Sequence, residues 1–437
     1  MKSRIWLYVV AMAMLLSFGI ADSLSSARAN NKLGAPIVGN LIPNGDLELE
    51  ATGADGSVVP AQWVADGVKG RGSDQRQYSY SGVEGTCGSR AATVAMSTYN
   101  RRAEAEWFPL PVPVTAGTEY TFRHKYISDV DTQLFVQWTN KKGKTWLDPV
   151  ILTLGPVDEW TTVHHTIVAP AKAVKVTFLR ILKSAGTLTV DDYYLTESKF
   201  DVGRVTFTFD DAWANQMENA VPQLHLYGLT ASFCVPTGLL GEWGRMNHGD
   251  LQYLQECGFG ISSHSRTHPD LTSLDQPDPL AVDFQEARCE IRGSFDDLDE
   301  CGIPTRSFVY PYGLTNAAVD CLVREVYCSG ARGTKSGFND RGTDRYDLRV
   351  LAIDYSTSSD PETIVAEVKA AMDQAAIDRV WLIVLFHQVE NEFDPDIALY
   401  AISTSNFAQI CEYADELRDN GLIDVVTLDE GLDIMPQ

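Results

Sequence analysis

Two adjacent carboxylates and one pair of histidines are the residues whose types and spacing could do chemistry. Asp210 and Asp211 follow an apolar stretch, and His264 and His268 are the one histidine pair four residues apart among eight histidines. Adjacent carboxylates repel each other unless a cation, a proton or strong donors offset the repulsion. Imidazole nitrogens bind zinc and related divalent ions, and one Asp with two His makes a catalytic site with an open position. The sequence therefore predicts a catalytic metal centre.

The strands that precede these residues bring the two pairs together. Residues 205–209 form a strand without charge that runs into Asp210, and residues 258–262 form a second strand before His264. The proline that follows His268 disfavours helix there, so the histidine pair lies on a loop after a strand. The carboxyl ends of the strands face the active site in β/α barrels. We expect both pairs on one such face.

Two regions of the chain have different sequence rhythms. In residues 38–197, short alternating segments are separated by turn sequences, which predicts an antiparallel β-sandwich. In residues 203–437, apolar strands alternate with helical stretches, including a helix over residues 215–227, which predicts an α/β domain, layered or barrel-shaped. The join is short and not rich in glycine or serine, so we expect the two domains to abut.

The first 29 residues have the pattern of a secretory signal peptide. Lys2 and Arg4 precede an apolar run over residues 5–20, and a small-x-small sequence ends at Ala29. We expect cleavage there and secretion to the extracellular space or the cell surface, with a retained N-terminal anchor as the alternative. No later segment of the sequence is long and apolar enough to be a membrane span.

The net charge of −24 restricts the class of partner. An acidic surface repels phosphate backbones and anionic lipids, which argues against nucleic acid or a membrane surface. A neutral or partly cationic polymer remains electrostatically compatible.

The eight cysteines include no C-x-x-C pair, which argues against a structural zinc cluster. An exported protein is expected to form disulfides, and Cys321 with Cys328 and Cys289 with Cys301 are the close pairs. Cys234 lies in an apolar run and is expected to be a buried thiol.

Four short motifs follow one another in the second region. They are Thr208-Phe209-Asp210-Asp211-Ala212, His264-Ser265-Arg266-Thr267-His268-Pro269, Phe308-Val309-Tyr310-Pro311-Tyr312-Gly313 and Leu382-Ile383-Val384-Leu385-Phe386-His387. In order and spacing they resemble the polysaccharide deacetylases with a NodB homology domain, carbohydrate esterase family 4. The resemblance covers the chain from Gly203 onward and implies a distorted (β/α) barrel. It also implies hydrolytic deacetylation of a polysaccharide that contains N-acetylglucosamine (chitin, peptidoglycan or an exopolysaccharide), with release of acetate.

The resemblance implies which residues hold the metal and activate the nucleophile. Asp211, His264 and His268 would hold a divalent metal, with Zn²⁺ as the expected ion. Asp210 would be the general base that acts on the metal-bound water.

The third and last motifs would supply the rest of the site. By resemblance, the Tyr312 N–H would stabilise the oxyanion, and His387 would be the general acid that protonates the departing amine. Pro311 and Tyr312 would contact the substrate, and Leu385 would line the acetyl pocket. Hydrolysis of an amide needs an activated water, an oxyanion site and an acid for a poor leaving group, so the two lines of reasoning agree.

One position departs from the family pattern. Many members carry an arginine in the third motif that pairs with the catalytic Asp, and this chain has Val309 there. Arg306, Arg332 and Arg349 are the candidates to replace it in space. The motif that supports the acid histidine is not recognisable, and Asp354 is the nearest substitute.

The first region carries a second, more diffuse resemblance. Its segments are Asn40-Leu41-Ile42-Pro43-Asn44-Gly45-Asp46-Leu47-Glu48, Pro60-Ala61-Gln62-Trp63, Ala116-Gly117-Thr118-Glu119-Tyr120 and Val190-Asp191-Asp192. They are similar to jelly-roll carbohydrate-binding modules of the family 4/9 type. The resemblance implies glycan binding and a structural Ca²⁺ held by Glu48 and Asp191, because carboxylate oxygens suit that ion. Two solvated carboxylates are the alternative.

Two other functions remain open. O-deacetylation, for example of acetylated xylan, passes through the same kind of tetrahedral intermediate. A non-catalytic glycan-binding protein is the second alternative, because Val309 replaces a family arginine. The sequence leaves the oligomeric state open.

Overall fold

The strand and helix patterns of the two regions produce two different architectures. The computed structural model describes residues 39–53, 55–67, 76–80, 82–99, 103–148, 152–274, 285–353, 361–391 and 400–436. The predicted signal peptide over residues 1–29 and the candidate Asp354 lie outside these residues. Within the described ranges, no helix combines the length and the apolar character needed to cross a bilayer.

Short alternating segments give an antiparallel sandwich before residue 198. Its strands are β1 Glu50–Thr52, β2 Val58–Pro60, β3 Trp63–Asp66, β4 Arg76–Ser79, β5 Ala92–Met96, β6 Glu106–Pro109, β7 Val112–Pro113, β8 Glu119–Ser128, β9 Thr132–Thr139, β10 Thr145–Leu147, β11 Leu152–Leu154, β12 Val157–Val168, β13 Lys175–Leu182 and β14 Gly186–Glu197. One sheet has the order β12-β8-β14-β5-β4, and the other has the order β10-β9-β13-β7 with β11 beside β9. Apolar side chains of both sheets share one core, which includes Trp107 and Trp138. The predicted β-sandwich is confirmed.

Alternating strands and helices follow after Gly203. The strands are β15 Gly203–Asp210, β16 Ser232–Val235, β17 Gly260–Ser263, β18 Ser307–Val309, β19 Gly330–Ser336, β20 Leu348–Ala352, β21 Trp381–Phe386, β22 Gln388–Glu390, β23 Ala401–Ser403 and β24 Ile423–Val425. The helices are α1 Val221–Leu226, α2 His248–Glu256, α3 Gln285–Glu300, α4 Ala317–Val326, α5 Pro361–Asp378, α6 Thr404–Asp419 and α7 Leu428–Ile434. A π-turn, Gln216–Ala220, occupies the first part of the helix predicted over residues 215–227.

Strands β15 to β21 close a seven-stranded parallel barrel. They pair in chain order from β16 to β21, and β15 pairs with both β21 and β16. Side chains alternate across each strand. On β15, Phe207 and Phe209 pack outward against Phe407 of α6. Asp210, one residue on, faces the interior at the carboxyl end, as the sequence predicted.

The sandwich and the barrel are held together by a disulfide and by buried polar contacts. Cys87, in a 3₁₀ turn between β4 and β5, is bonded to Cys321 on α4. Thr121 Oγ1 on β8 donates to Asp340 Oδ2 at 2.7 Å, and Arg123 lies 3.1 Å from Asp344. The expectation that the two regions abut is therefore confirmed.

Both predicted cysteine pairings are wrong. Cys321 is bonded to Cys87 rather than to Cys328, and Cys289 and Cys301 are free thiols. Cys289 lies on α3 and Cys301 directly follows that helix, so the rise of about 1.5 Å per residue separates them by roughly 18 Å. A disulfide needs Cα atoms within about 7 Å. Cys234 is a buried free thiol, as predicted.

Candidate active site

Asp210 and Asp211, at the end of β15, contact different partners. Asp210 is the last residue of the strand and is buried inside the barrel. Asp211 has a left-handed backbone conformation with φ 73°, as does Ala212 with φ 52°. This sharp turn separates the two carboxylates, so that each belongs to a different part of the site.

Asp211, His264 and His268 form a compact ligand set. Asp211 Oδ1 lies 3.5 Å from His268 Nε2 and 3.8 Å from His264 Nε2, and the two Nε2 atoms are 3.1 Å apart. Two nitrogen ligands about 2.0–2.1 Å from one tetrahedral zinc ion lie about 3.3 Å from each other. The spacing of the three atoms therefore fits a single small divalent cation.

The state of His264 also suits a metal ligand. Its Nδ1 lies 2.8 Å from the backbone oxygen of Val309, so it donates there and leaves Nε2 free as a lone pair. Burial lowers the pKa of His264 to about 4, despite the opposing effect of the nearby carboxylates. The imidazole is therefore neutral at physiological pH, as coordination requires.

Two residues that the sequence did not single out hold Asp211 in place. Trp213 Nε1 donates to Asp211 Oδ2 at 3.2 Å, which leaves Oδ1 for the histidine side of the site. Arg245 Nη1 donates to the Asp211 backbone oxygen at 2.5 Å, and its guanidinium stacks 3.5 Å above the Trp213 ring. These contacts fix the orientation of the Asp211 carboxylate from outside the candidate metal site.

Arg332 replaces the arginine that the third motif lacks. Its Nη2 donates to Asp210 Oδ1, and both side chains are buried. Arg332 on β19 is the register partner of Val309 on β18, so the guanidinium comes from the neighbouring strand at the same level of the barrel. Arg349 is exposed and Arg306 pairs with Asp433 on the surface, which removes the other two candidates.

The Arg332 pair keeps Asp210 ionised. Burial alone would raise the pKa of Asp210, but the charge of Arg332, with smaller contributions from two imidazoles, lowers it below its ordinary value. One of these imidazoles belongs to His387, which places the predicted acid near the predicted base. Because Oδ1 is bound by Arg332, Oδ2 is the oxygen left on the metal side, 3.9 Å from His264 Nε2.

The buried side-chain amide of Gln216 connects the end of β15, which carries Asp210, to the end of β21, which His387 follows. Gln216 Nε2 donates to the backbone oxygens of Asp210 at 2.7 Å and of His387 at 2.6 Å. Gln216 opens the π-turn after β15, a local distortion often found at functional sites. His387 directly follows β21, and its ring centre is 5.4 Å from that of Tyr400. Its Nδ1 is buried with no partner among the described residues.

The third motif forms a tight turn beside the histidines. Tyr312 has φ 58° and is 61% exposed, and its ring centre is 4.5 Å from that of His268. Gly313 cannot carry a side chain, because a Cβ there would collide with Thr334. Pro311 is buried beneath the turn, and Leu385 lies inside the barrel in a core that includes Val309. The structure thus brings Tyr312 to His268, one of the candidate metal ligands, and places Leu385 in the barrel interior.

Backbone strain is concentrated at this site. Eleven non-glycine residues have positive φ in the described part of the chain. Five of them belong to the loops described above: Asp211, Ala212, Ser265, His268 and Tyr312. Such conformations cost free energy and typically accumulate where function fixes the geometry.

The proposed calcium residues lie near one loop of the sandwich. Asp191 is buried and accepts hydrogen bonds from the Thr86 N–H and hydroxyl and from the Ser89 hydroxyl. Glu48 accepts the Arg90 N–H at 2.5 Å. Burial, followed by the charge of Asp192, raises the pKa of Asp191 well above its ordinary value. Calcium binding at these residues stays a prediction.

Comparison with known families assigns part of the chain. Residues 197–327 match the family model described as polysaccharide deacetylase. The chain carries a polysaccharide deacetylase domain. The matched residues include Asp210 with the three candidate metal ligands and the Tyr312 turn, whereas Arg332 and His387 lie beyond them. Among curated protein sequences, none matches this chain.

Solved structures with similar regions include deacetylases and a carbohydrate-binding module. The Xyl-CE4 domain of a multidomain xylanase from the hindgut metagenome of Trinervitermes trinervoides is 18% identical, with a TM-score of 0.36, over 54% of this chain and 94% of that chain. A family 4 carbohydrate esterase from Streptomyces lividans is 19% identical, with a TM-score of 0.33, over 51% and 90%. A CBM4 structure is 17% identical, with a TM-score of 0.27, over 36% and 99%. The chain spans 21% of a tailspike domain of bacteriophage CBA120 that also matches.

Proposed function

We propose that this protein is a divalent-metal-dependent hydrolase that removes acetyl groups from a polysaccharide. The preferred substrate class is a glycan that contains N-acetylglucosamine. One observation carries the proposal: the Asp211, His264 and His268 ligand atoms lie beside an Asp210 that Arg332 holds ionised, inside a polysaccharide deacetylase domain.

The metal site would take one cation, for which Zn²⁺ is our proposal. Neutral imidazole and carboxylate donors at this spacing suit that ion. When bound, it would act as a Lewis acid that polarises the acetyl carbonyl and activates water. His264 and His268 would enter as neutral ligands, and Trp213 would keep the Asp211 carboxylate turned toward them.

The chain's own groups would then move two protons. Asp210 Oδ2 would accept a proton from the attacking water, since Oδ1 is occupied by Arg332. The Tyr312 N–H would stabilise the negative charge that develops on the acetyl oxygen. His387 would donate a proton to the departing nitrogen, which is a poor leaving group without one.

The remaining regions fit the same proposal. A signal peptide over residues 1–29 would direct the protein out of the cell, where glycans are found. The sandwich would hold the enzyme on its polysaccharide, with Ca²⁺ at Glu48 and Asp191 as a structural ion. Isothermal titration of Ca²⁺ into wild-type and Asp191→Asn protein tests that ion, and equal binding by both would exclude the site.

Acetate release and metal content test the function together. Purified protein is analysed for bound metal and is then incubated with chitin oligomers, peptidoglycan and acetylxylan. We expect acetate from at least one glycan, with loss of both metal and acetate in Asp211→Ala. Bound zinc with no acetate from any glycan would contradict the enzyme, and acetate release that survives Asp211→Ala would contradict the metal mechanism.

The nature of the leaving group separates N-deacetylation from O-deacetylation. An alkoxide leaves more easily than an amide nitrogen, so an esterase depends less on a general acid. If the N-acetyl group of a glycan is the natural substrate, we expect His387→Ala to lose far more activity on chitin oligomers than on acetylxylan. A non-catalytic role is disfavoured, because Arg332 fills the position left open by Val309.

A further inference from the structure

One face of helix α3 packs against the loop that joins the two candidate histidine ligands. Glu290 and Asp297 are seven residues apart on α3, so they lie on the same face of the helix, two turns from each other. Between them, Gly293 leaves room for the Arg266 side chain of the loop, because a Cβ at Gly293 would lie 2.7 Å from the guanidinium carbon. This face of α3 therefore presents two carboxylates, with a gap between them, to the histidine loop.

Glu290 accepts three hydrogen bonds from this loop. Its Oε2 accepts the Arg266 N–H at 2.9 Å and the Thr267 N–H at 2.8 Å, and its Oε1 accepts the Thr267 hydroxyl at 2.7 Å. Hydrogen bonds to an ionised carboxylate are about twice as strong as those between neutral groups. Both oxygens of Glu290 are therefore bound by the two central residues of the loop.

Asp297 holds the same loop through the Arg266 side chain. Arg266 Nε donates to Asp297 Oδ2 at 2.8 Å, and Nη2 donates to Oδ1 at 2.6 Å. The Thr237 hydroxyl, in the turn after β16, donates to the same Oδ2 at 2.6 Å. The hydrogen bond from Arg266 lowers the pKa of Asp297, so this carboxylate is ionised at neutral pH. Arg266 is therefore anchored to α3 at both its backbone and its guanidinium.

The loop needs such anchors, because its backbone is strained on both sides of the Glu290 contacts. Ser265 and His268 both have a left-handed conformation with φ 62°. Such conformations persist only where surrounding contacts determine them. The turn after β16 adds two backbone hydrogen bonds, from the Thr237 N–H to Ser265 O at 3.1 Å and from the Gly238 N–H to the carbonyl of the next loop residue at 2.8 Å. The contacts from α3 and from this turn together prevent the loop from relaxing.

We propose that Glu290 is a positioning residue of the metal centre, which holds the loop so that His264 and His268 direct their Nε2 atoms to one point. This inference rests on the proposed function and adds to it a carboxylate outside the ligand set. Glu290 acts through the Arg266 and Thr267 peptide groups, which lie between the two histidines in the chain. Loss of such an outer partner typically weakens metal binding about 10- to 100-fold.

Metal affinity, measured by competition with a chelator, tests this role. Zn²⁺ and Co²⁺ are titrated into the metal-free protein for wild type, Glu290→Ala and Glu290→Gln. We expect the Zn²⁺ Kd of Glu290→Ala to rise about tenfold or more, and its Co²⁺ absorption spectrum to differ from that of wild type, because the histidines no longer converge. Glu290→Gln keeps an oxygen acceptor for both N–H groups and should recover most of the affinity. Glu300→Ala, at the exposed last position of α3, is the matched control and should bind both metals as wild type does.

The outcomes distinguish this inference from the proposed function. Equal Zn²⁺ affinities of wild type and Glu290→Ala would overturn the positioning role and leave the deacetylase intact. An equal loss of affinity in Glu290→Gln and Glu290→Ala would also overturn it, since charge rather than loop geometry would then be responsible. A wild type that binds no divalent metal would overturn the proposed function and this inference together. If Glu290→Ala does not fold, hydrogen exchange of the metal-free wild type decides: protected Arg266 and Thr267 amides support the role, and fast exchange overturns it.

Discussion

Removal of the Arg332 guanidinium should both destabilise the barrel and prevent Asp210 from acting as the general base. In Arg332→Met the side chain keeps its length and loses its charge, which leaves Asp210 buried without its ion-pair partner. Breaking a buried pair from one side costs about 3–5 kcal/mol of unfolding free energy. Protonation of Asp210 relieves part of that cost, but a protonated Asp210 cannot act as a base. General-base catalysis contributes roughly 10²- to 10⁴-fold, so we expect kcat at neutral pH to fall by up to that factor.

The pH dependence of stability and of acetate release provides a second test of Arg332→Met, because the direction of each change is defined. In the wild type the pKa of Asp210 lies below its ordinary value, so its stabilising contribution is full above the unfolded pKa and is lost as pH falls through the folded pKa. In Arg332→Met, the largest effect that opposes burial is removed and the pKa of Asp210 rises. The variant should therefore lose stability as pH increases through the new pKa, while its acetate release recovers on the alkaline side.

A double-mutant cycle separates the loss of the Arg332–Asp210 ion pair from a general loss of stability. Urea unfolding of the metal-free protein is measured for Arg332→Met, Asp210→Asn and the double variant. The double variant should be more stable than Arg332→Met, since no unpaired buried charge remains. Arg306→Met removes an exposed arginine as the control and should change stability by about 1 kcal/mol or less. Additive effects in the cycle, with an unchanged pH–rate profile, would refute the reasoning.

Three further perturbations follow from buried groups and from the disulfide. Burial raises the pKa of Glu106 to about 7, so the contribution of Glu106 to wild-type stability should decrease between about pH 4.5 and 7. Glu106→Gln should remove that decrease, on the order of 2 kcal/mol in urea titrations at the two pH values. Cys87→Ser with Cys321→Ser should lower the unfolding free energy by about 2–5 kcal/mol in calorimetry or urea unfolding. Gln216→Met should lower kcat without a matching change in KM and cost about 1–3 kcal/mol, because the Asp210 and His387 carbonyls each lose the hydrogen bond from Gln216.

Each of these three predictions, on Glu106, the disulfide and Gln216, would be contradicted by a specific result. An equal pH dependence of the urea midpoint in wild type and Glu106→Gln would show that Glu106 is ionised in the folded protein over this window. Unchanged stability after reduction of the wild-type disulfide would show that the polar contacts alone hold the two regions together. An unchanged kcat in Gln216→Met would mean that the Gln216 amide contributes to packing and does not position Asp210 or His387.

The sequence predicted those parts of the site that depend on local pattern. The end of β15 and the loop after β17 could be located because apolar strands, a proline and a four-residue histidine spacing are visible within short windows. The family resemblance added Tyr312 and His387, which the structure places beside His268 and near Asp210. These residues are all close to recognisable motifs.

The parts that could not be predicted depend on contacts between distant segments. Arg332 was one of three candidates, and its pairing with Asp210 follows from the strand register that aligns it with Val309. Nothing in the local sequence of Gln216 marks it as the link between two strand ends. The disulfide joins residues separated by 234 positions, whereas proximity in sequence favoured shorter loops.

The left-handed backbone at Asp211, Ala212, Ser265, His268 and Tyr312 has a consequence for protein engineering. Two candidate metal ligands, Asp211 and His268, and the candidate substrate residue Tyr312 owe their directions to main-chain conformations that most residues avoid. Transplanting the three ligand side chains onto another barrel would therefore not transplant the centre. A successful graft must carry whole loops, with the Trp213–Arg245 stack and the barrel wall that keep those conformations from relaxing.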